Sequence, residues 1–270
     1  MRTWARRHPW RTGIATLALI GTGGVLLTLA TLPRVGSLVT GWPERTAYMQ
    51  SWLDAGEADG SALRYTPVTL SRVPESVRRA VIVSEDAAFF GHRGFDWHEV
   101  RQAVRDAWRE RRPPRGASTI TQQLARNLFL SPSRNPVRKL REALIARRLE
   151  AALSKDRILE LYLSVIEFGP GLYGVEAASR RYFGVGVSGV SPRQAAELAA
   201  TIPSPRRHNP ATRTREFQRR VDLAFRRAIG VDVPARPPSL DSLVPVLPDS
   251  AGTPEIESTT ASATDSLPES

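Results

Sequence analysis

The carboxylate pair Glu85-Asp86 closes the apolar run Ala80-Val81-Ile82-Val83 and is followed at once by Phe89 and Phe90. A carboxylate at the edge of an apolar segment is partly desolvated, which raises its pKa and makes it a stronger general base. Further along, Gly116-Ala117-Ser118-Thr119-Ile120-Thr121-Gln122-Gln123 puts hydroxyls and amides at a predicted helix start, with Arg126 and Asn127 following on the helix. Free backbone amides and hydroxyls at a helix N-terminus suit an anion such as a sugar phosphate. A third stretch, Arg134-Asn135-Pro136-Val137-Arg138-Lys139-Leu140-Arg141-Glu142, is dense in cations. Arg138 and Glu142 stand at i,i+4 and Lys139 and Glu142 at i,i+3, so the three share a helix face. One candidate base and a cation cluster suit a reaction in which a weak hydroxyl nucleophile gives up its proton and an anionic group such as a sugar phosphate is held.

The elements that must position these groups read as helices. Pro74 suits a first turn whose Val77, Val81 and Ile82 lead toward Glu85. Asp96 caps a helix with Val100, Ala103, Val104 and Ala107 on one face, and Ser118 caps the next. Pro136 starts a helix carrying Val137, Leu140, Leu144, Ile145 and Leu149 at helical spacing. Ser154 precedes a helix predicted over 155–168, stopped by Gly169-Pro170-Gly171. Further helices are predicted over 175–182, 192–202 and 214–228. No run alternates over strand length, so the fold class is mostly α, without internal repeats.

Outside this body the composition changes. Residues 13–32 run without a charge behind Arg2, Arg6, Arg7 and Arg11. At ~1.5 Å per residue such a helix spans a hydrocarbon core of ~30 Å. The arginines then place residues 1–12 in the cytoplasm and the rest outside; a cleaved signal peptide is the competing reading. Residues 33–63 read as a juxtamembrane segment whose Trp42 and Trp52 suit either an interfacial position or packing on the domain. Residues 231–270 hold seven acidic residues and one basic residue among Pro, Ser and Thr, a disordered tail by composition. The formal net charge of +11 therefore conceals a body, 1–230, with 37 basic and 20 acidic residues. Such a surface is drawn to anions, among them lipid headgroups, pyrophosphates and nucleic acid. The chain has no cysteine, which excludes disulfides and thiolate metal sites.

The order Glu-Asp, Phe, His-x-Gly-Phe-Asp is met by Glu85, Asp86, Phe89, His92, Gly94, Phe95 and Asp96. With the stretch from Gly116 to Asn127 and the Arg-Lys-x-x-Glu of Arg138, Lys139 and Glu142, it resembles the signature of the peptidoglycan glycosyltransferases. These are lysozyme-like enzymes that polymerise lipid II. The stretches from Lys155 to Ala178 and from Ala195 to Pro205 are similar to the family's fourth and fifth motifs, and the resemblance covers about 64–210. It implies a lysozyme-like glycosyltransferase domain over 64–230, behind a single N-terminal transmembrane helix in a bacterial cytoplasmic membrane, with the domain outside. By the same resemblance Glu85 is the catalytic base and Glu142 a second catalytic acidic residue that orients a cation or the leaving group. Phe89, Ser118, Thr119, Gln123, Arg126, Asn127, Arg134, Arg138 and Lys139 are the implied substrate-binding residues, while His92 and Asp96 brace the loop.

The implied partners are lipid II, the growing glycan strand, the membrane and other cell-wall synthesis proteins, with no nucleic acid. A divalent cation, Mg²⁺ or Mn²⁺, is a cofactor that the sequence neither requires nor specifies. No Ser-x-x-Lys or Lys-Thr-Gly occurs, so the implied enzyme is monofunctional. A glycan-cleaving lysozyme relative and a catalytically impaired membrane-anchored scaffold are the alternatives. Two positions depart from the family pattern. Arg126 replaces a usual lysine, and Ser164 a usual asparagine, where an altered or water-filled loop contact is expected. Lys139 and Lys155, the only lysines, both fall on lysine positions of the motifs.

Overall fold

Most helix starts supply their own caps. In the computed structural model, which describes residues 30–56, 62–111, 118–133 and 135–230 and a few positions between 14 and 24, nine α-helices are traced among the described residues. Helix α1 (Ala47–Asp54) begins at Thr46, whose hydroxyl accepts from the Met49 N–H. Helix α2 (Glu75–Glu85) follows Pro74. Asp96 caps α3 (Trp97–Glu110) by accepting from the His98 and Glu99 amides, as predicted. Helix α4 (Ile120–Phe129) starts a residue later than the sequence suggests: Thr119, not Ser118, is the cap. Asn135 and Ser154 cap α5 (Pro136–Ala152) and α6 (Lys155–Val165). Helices α7 (Val175–Phe183), α8 (Pro192–Thr201) and α9 (Arg215–Gly230) complete the set.

The core forms where α8 packs on α2 and α9, and where α4 packs on α1, α5 and α6. Val77, Val81 and Ile82 face it from α2, as their spacing predicts. The apolar stripe of α5 divides instead. Ile145 and Leu149 are fully buried, whereas Val137 and Leu140 in the first turns are more than half exposed. The predicted apolar face of α3 does not meet the core at all, since none of its described residues is buried and Val104 is exposed.

Three short strands are a departure from the helical reading. The helix predicted to 168 ends at Val165, and Glu167–Gly169 forms β2. It pairs antiparallel with β3 (Leu172–Tyr173), which pairs in parallel with β1 (Arg64–Tyr65). Strands of two or three residues are too short to show an alternation. The chain reverses through Gly171 at φ +66°, where a Cβ would stand 2.7 Å from the Trp52 ring. At Gly174, φ +86°, a Cβ would stand 2.2 Å from the Ser164 carbonyl oxygen. Both positions need glycine for conformation and for space.

The segment read as juxtamembrane belongs to the body. Val35, Leu38, Met49 and Trp52 are buried in the core, and Trp42 lies 4.5 Å beneath the Arg157 guanidinium. Arg157 also donates to the carbonyls of Leu38 and Gly41. Packing on the domain therefore explains both tryptophans. Among the described residues no helix is long and apolar enough to cross a membrane. The predicted span 13–32 lies largely outside them, as do 1–12, Arg134 and the tail 231–270.

Ser164 leaves no gap where a longer amide is usual. It is fully buried, and its hydroxyl accepts from the Val68 N–H at 3.1 Å and donates to the Val68 carbonyl at 3.2 Å. Ser164→Ala would strand both backbone groups, so a loss of about 1–3 kcal/mol is expected in denaturant unfolding. An unchanged midpoint would mean that the two bonds contribute nothing net.

Candidate active site

Asp86, directly after α2, is the keystone that aligns the two motif segments. It is buried; its Oδ1 lies 2.9 Å from His92 Nε2 and its Oδ2 accepts from the Ile120 N–H at 2.9 Å. Thr119 donates its hydroxyl proton to the Gly94 carbonyl and accepts from the Gln122 N–H. The N-terminus of α4, read from sequence as an anion site, is thus occupied by an internal carboxylate. Thr119 works as cap and strap rather than as a ligand to substrate. His92 braces the loop, as expected.

With α2 and α4 so joined, Gln123 reaches Glu85. Its Nε2 donates to Glu85 Oε2 at 2.8 Å and, more weakly, to the Ser118 carbonyl at 3.4 Å. The Glu85 carboxylate and the Ser118 carbonyl, both acceptors, draw the NH2 to their side, and Tyr162, fully buried in α6, donates its hydroxyl to Gln123 Oε1 at 3.0 Å from the other. Burial pushes the Tyr162 phenol well above its usual pKa, with the Glu85 charge adding to the effect, so it stays a donor. Tyr162 belongs to the stretch from Lys155 that resembles the family's fourth motif, but its contact with Gln123 was not foreseen.

Burial is also the main cause that lifts the Glu85 carboxyl above the usual glutamate range, with the neighbouring Asp86 charge adding. The Gln123 hydrogen bond, Arg126 and Arg220 pull the other way, and Arg220 on α9 is a neighbour no motif indicated. Enclosed on most sides, Glu85 still keeps part of its surface open to a cavity of about 300 Å³, shared with Glu99 of α3 and Arg227 of α9.

The cation side is built on Glu142, which is fully buried. Its Oε2 accepts from Arg138 Nη1 at 2.8 Å and its Oε1 from Lys139 Nζ. Lys139 also donates to Ser118 Oγ at 3.1 Å and Gln122 Oε1 at 3.4 Å. Three acceptors around one ammonium match its three hydrogens, a geometry a planar guanidinium does not reproduce. Of the two roles the resemblance implied for Glu142, orienting a cation or the leaving group, its fully buried carboxylate with one oxygen on each of Arg138 and Lys139 matches the first. Arg126 acts electrostatically on Glu85, and Arg126, Arg138 and Glu142 all act on Tyr48 of α1, another residue the motifs did not reveal. Asn127 is buried and its Nδ2 donates to the Gln123 carbonyl within α4.

Phe89 is corrected more sharply. Its ring has no exposed surface, meets Phe90 edge-on at 5.0 Å and carries the Lys155 ammonium 4.4 Å from its centre. Lys155 also pairs with Glu150 at 2.7 Å, so Phe89 and Lys155 form an internal post rather than a substrate contact. Among the described residues no group of three or more acidic or histidine side chains could hold a metal ion, and Glu142 is already neutralised.

The transglycosylase family model matches residues 55–228. The chain belongs to the transglycosylase family. It is 43% identical over 194 residues to a biosynthetic peptidoglycan transglycosylase of Methylobacillus flagellatus, covering 71% of this chain and 85% of that protein. A protein of the same description from Aromatoleum aromaticum is 45% identical over 202 residues, covering 71% of this chain and 88% of its own length. The Bordetella avium counterpart, 38% identical over 252 residues, is covered over 98% of its length. In this transglycosylase the Gln123 hydrogen bond favours the charged Glu85. Gln123→Leu is therefore expected to raise the Glu85 pKa further and move the acid limb of the kcat/KM profile to higher pH. A limb that stays put or moves down would remove Gln123 from that role.

Proposed function

We propose that this transglycosylase polymerises lipid II into β-1,4-linked glycan, with inversion at the anomeric carbon and release of undecaprenyl pyrophosphate. The observation that carries the reading is Glu85: a carboxyl raised by burial, oriented by the Tyr162–Gln123 relay, with Arg126 close by. Its deprotonated form takes the proton of the attacking sugar hydroxyl as the glycosidic bond forms. Arg126, Arg138 and Lys139 stabilise the charge that develops on the departing pyrophosphate. No step is assigned to a divalent cation. In glycan cleavage Glu85 would be the acid, and Asp86, with both oxygens engaged internally, does not supply the second carboxylate.

The predicted anchor fits this reading. Arg141 donates to Thr31 and Arg148 to the Leu32 and Pro33 carbonyls, tying the end of the apolar run 13–32 to α5. An anchored run would hold the basic α5 at the outer membrane surface, beside a lipid-linked substrate. The test is polymerisation by detergent-solubilised full-length protein supplied with lipid II, with and without Mg²⁺ or Mn²⁺. Glycan polymer is the expected product. Absence of polymer under both conditions would sink the proposal, and cleavage of finished glycan would replace it with a lytic activity.

A further inference from the structure

A second cavity, of about 420 Å³, opens beside the three-stranded sheet and shares no lining residue with the Glu85 cavity. Three arginines converge on it from separate parts of the chain: Arg64 of β1, Arg181 of α7 and Arg206 from the turn after α8. Arg206 is paired with Glu167, Nε to Oε1 at 2.8 Å. The guanidiniums of Arg64 and Arg181 are in no hydrogen bond or ion pair among the described residues. The neutral polar groups of the wall are already committed. Asn209 Oδ1 accepts from the Ala211 and Thr212 amides, and the Tyr182 hydroxyl donates to the Phe168 carbonyl at 2.7 Å. A ligand is left two open planar forks and an aliphatic wall that includes Leu172 and Pro170.

Two guanidiniums without a partner on one concavity leave positive charge there that a bound anion meets. The planar fork favours a carboxylate, which it can hold through two parallel bonds. Glu167 does not line the cavity and holds Arg206 in its ion pair, so the open positive charge is that of Arg64 and Arg181. The aliphatic wall suits a guest whose body is apolar. We infer that this cavity binds the free carboxylate of a small aliphatic peptide. If the proposed function holds, that peptide is the one carried on the sugar of the substrate, and the cavity is a substrate-recognition site separate from the bond-forming cleft.

Binding can be measured without any turnover, so its failure and failure of the polymerase reading are separate results. Saturation-transfer NMR on the full-length protein in detergent would use N-acetyl-alanyl-alanine and its C-terminal amide. The acid is expected to bind about tenfold more tightly than the amide, the scale of one charge-assisted contact. The exposed pair Arg64→Gln/Arg181→Gln should lose the acid's advantage, with the unfolding midpoint as a check on the fold. Arg126→Gln should retain it, which separates this site from the Glu85 cleft. Glu167→Gln should tighten binding by releasing Arg206 from its ion pair. Equal binding of acid and amide by the wild type would overturn the assignment, as would displacement by inorganic phosphate at lower concentration than by the acid.

Discussion

Glu85→Gln is expected to lower lipid II polymerisation by about 10²–10⁴-fold, the range for removal of a positioned general base. The substitution keeps the side chain's size and removes only its ability to accept a proton. It also replaces the charged acceptor of the Gln123 N–H by a neutral one, and the Tyr162–Gln123 bond gives that amide no reason to turn. Substrate binding should therefore survive while turnover falls, a split visible in kcat against KM. The wild-type profile supplies a second signature. Because burial raises the Glu85 pKa, activity should fall on acidification at a pH above that of an ordinary glutamate. A variant that polymerises near the wild-type rate would show that the base lies elsewhere.

Glu142→Leu is expected to be the most destabilising change in the site, at about 3 kcal/mol in denaturant unfolding, with loss of activity. The carboxylate has no exposed surface and pairs with both Arg138 and Lys139, so its removal leaves two like charges facing an apolar residue. Breaking a buried pair from one side costs about 3–5 kcal/mol. The half-exposed Lys139 can turn to water, which puts the expectation at the lower end. The double variant Arg138→Leu/Glu142→Leu should be less unstable than the sum of its single changes, because it removes a cation along with its counter-charge. Additive losses would show that Glu142 acts by volume alone.

The two replacements in the motifs acquire different meanings from their surroundings. Ser164 is a complete substitute, closing both hydrogen bonds on Val68 without a longer side chain. Arg126 keeps a positive charge near Glu85, and its effect is to favour the carboxylate. The lysines are explained by shape. Lys139 sits among three acceptors and Lys155 between a ring face and a carboxylate, places for a compact ammonium.

Local rules made much of this legible from the sequence alone. Asp96 caps the helix it was expected to cap, and the helices expected at Pro136 and after Ser154 begin there, because a helix start is decided within one turn. The burial of Val77, Val81 and Ile82 followed from a spacing that holds within one helix. The cation pair on Glu142 was likewise readable, since Arg138 and Lys139 lie within one turn of it. The rest depended on which helices meet. Tyr162 orients Gln123 from 39 positions away, and Asp86 takes the Ile120 amide across 34. Phe89 is buried in the core with the Lys155 ammonium, 66 positions on, over its ring. No spacing rule spans such distances, because those contacts exist only once packing has chosen the neighbours. The sequence by itself determined where the helices begin and which charges travel together; only the tertiary structure decided which polar groups the fold consumes and left Glu85 open to its cavity.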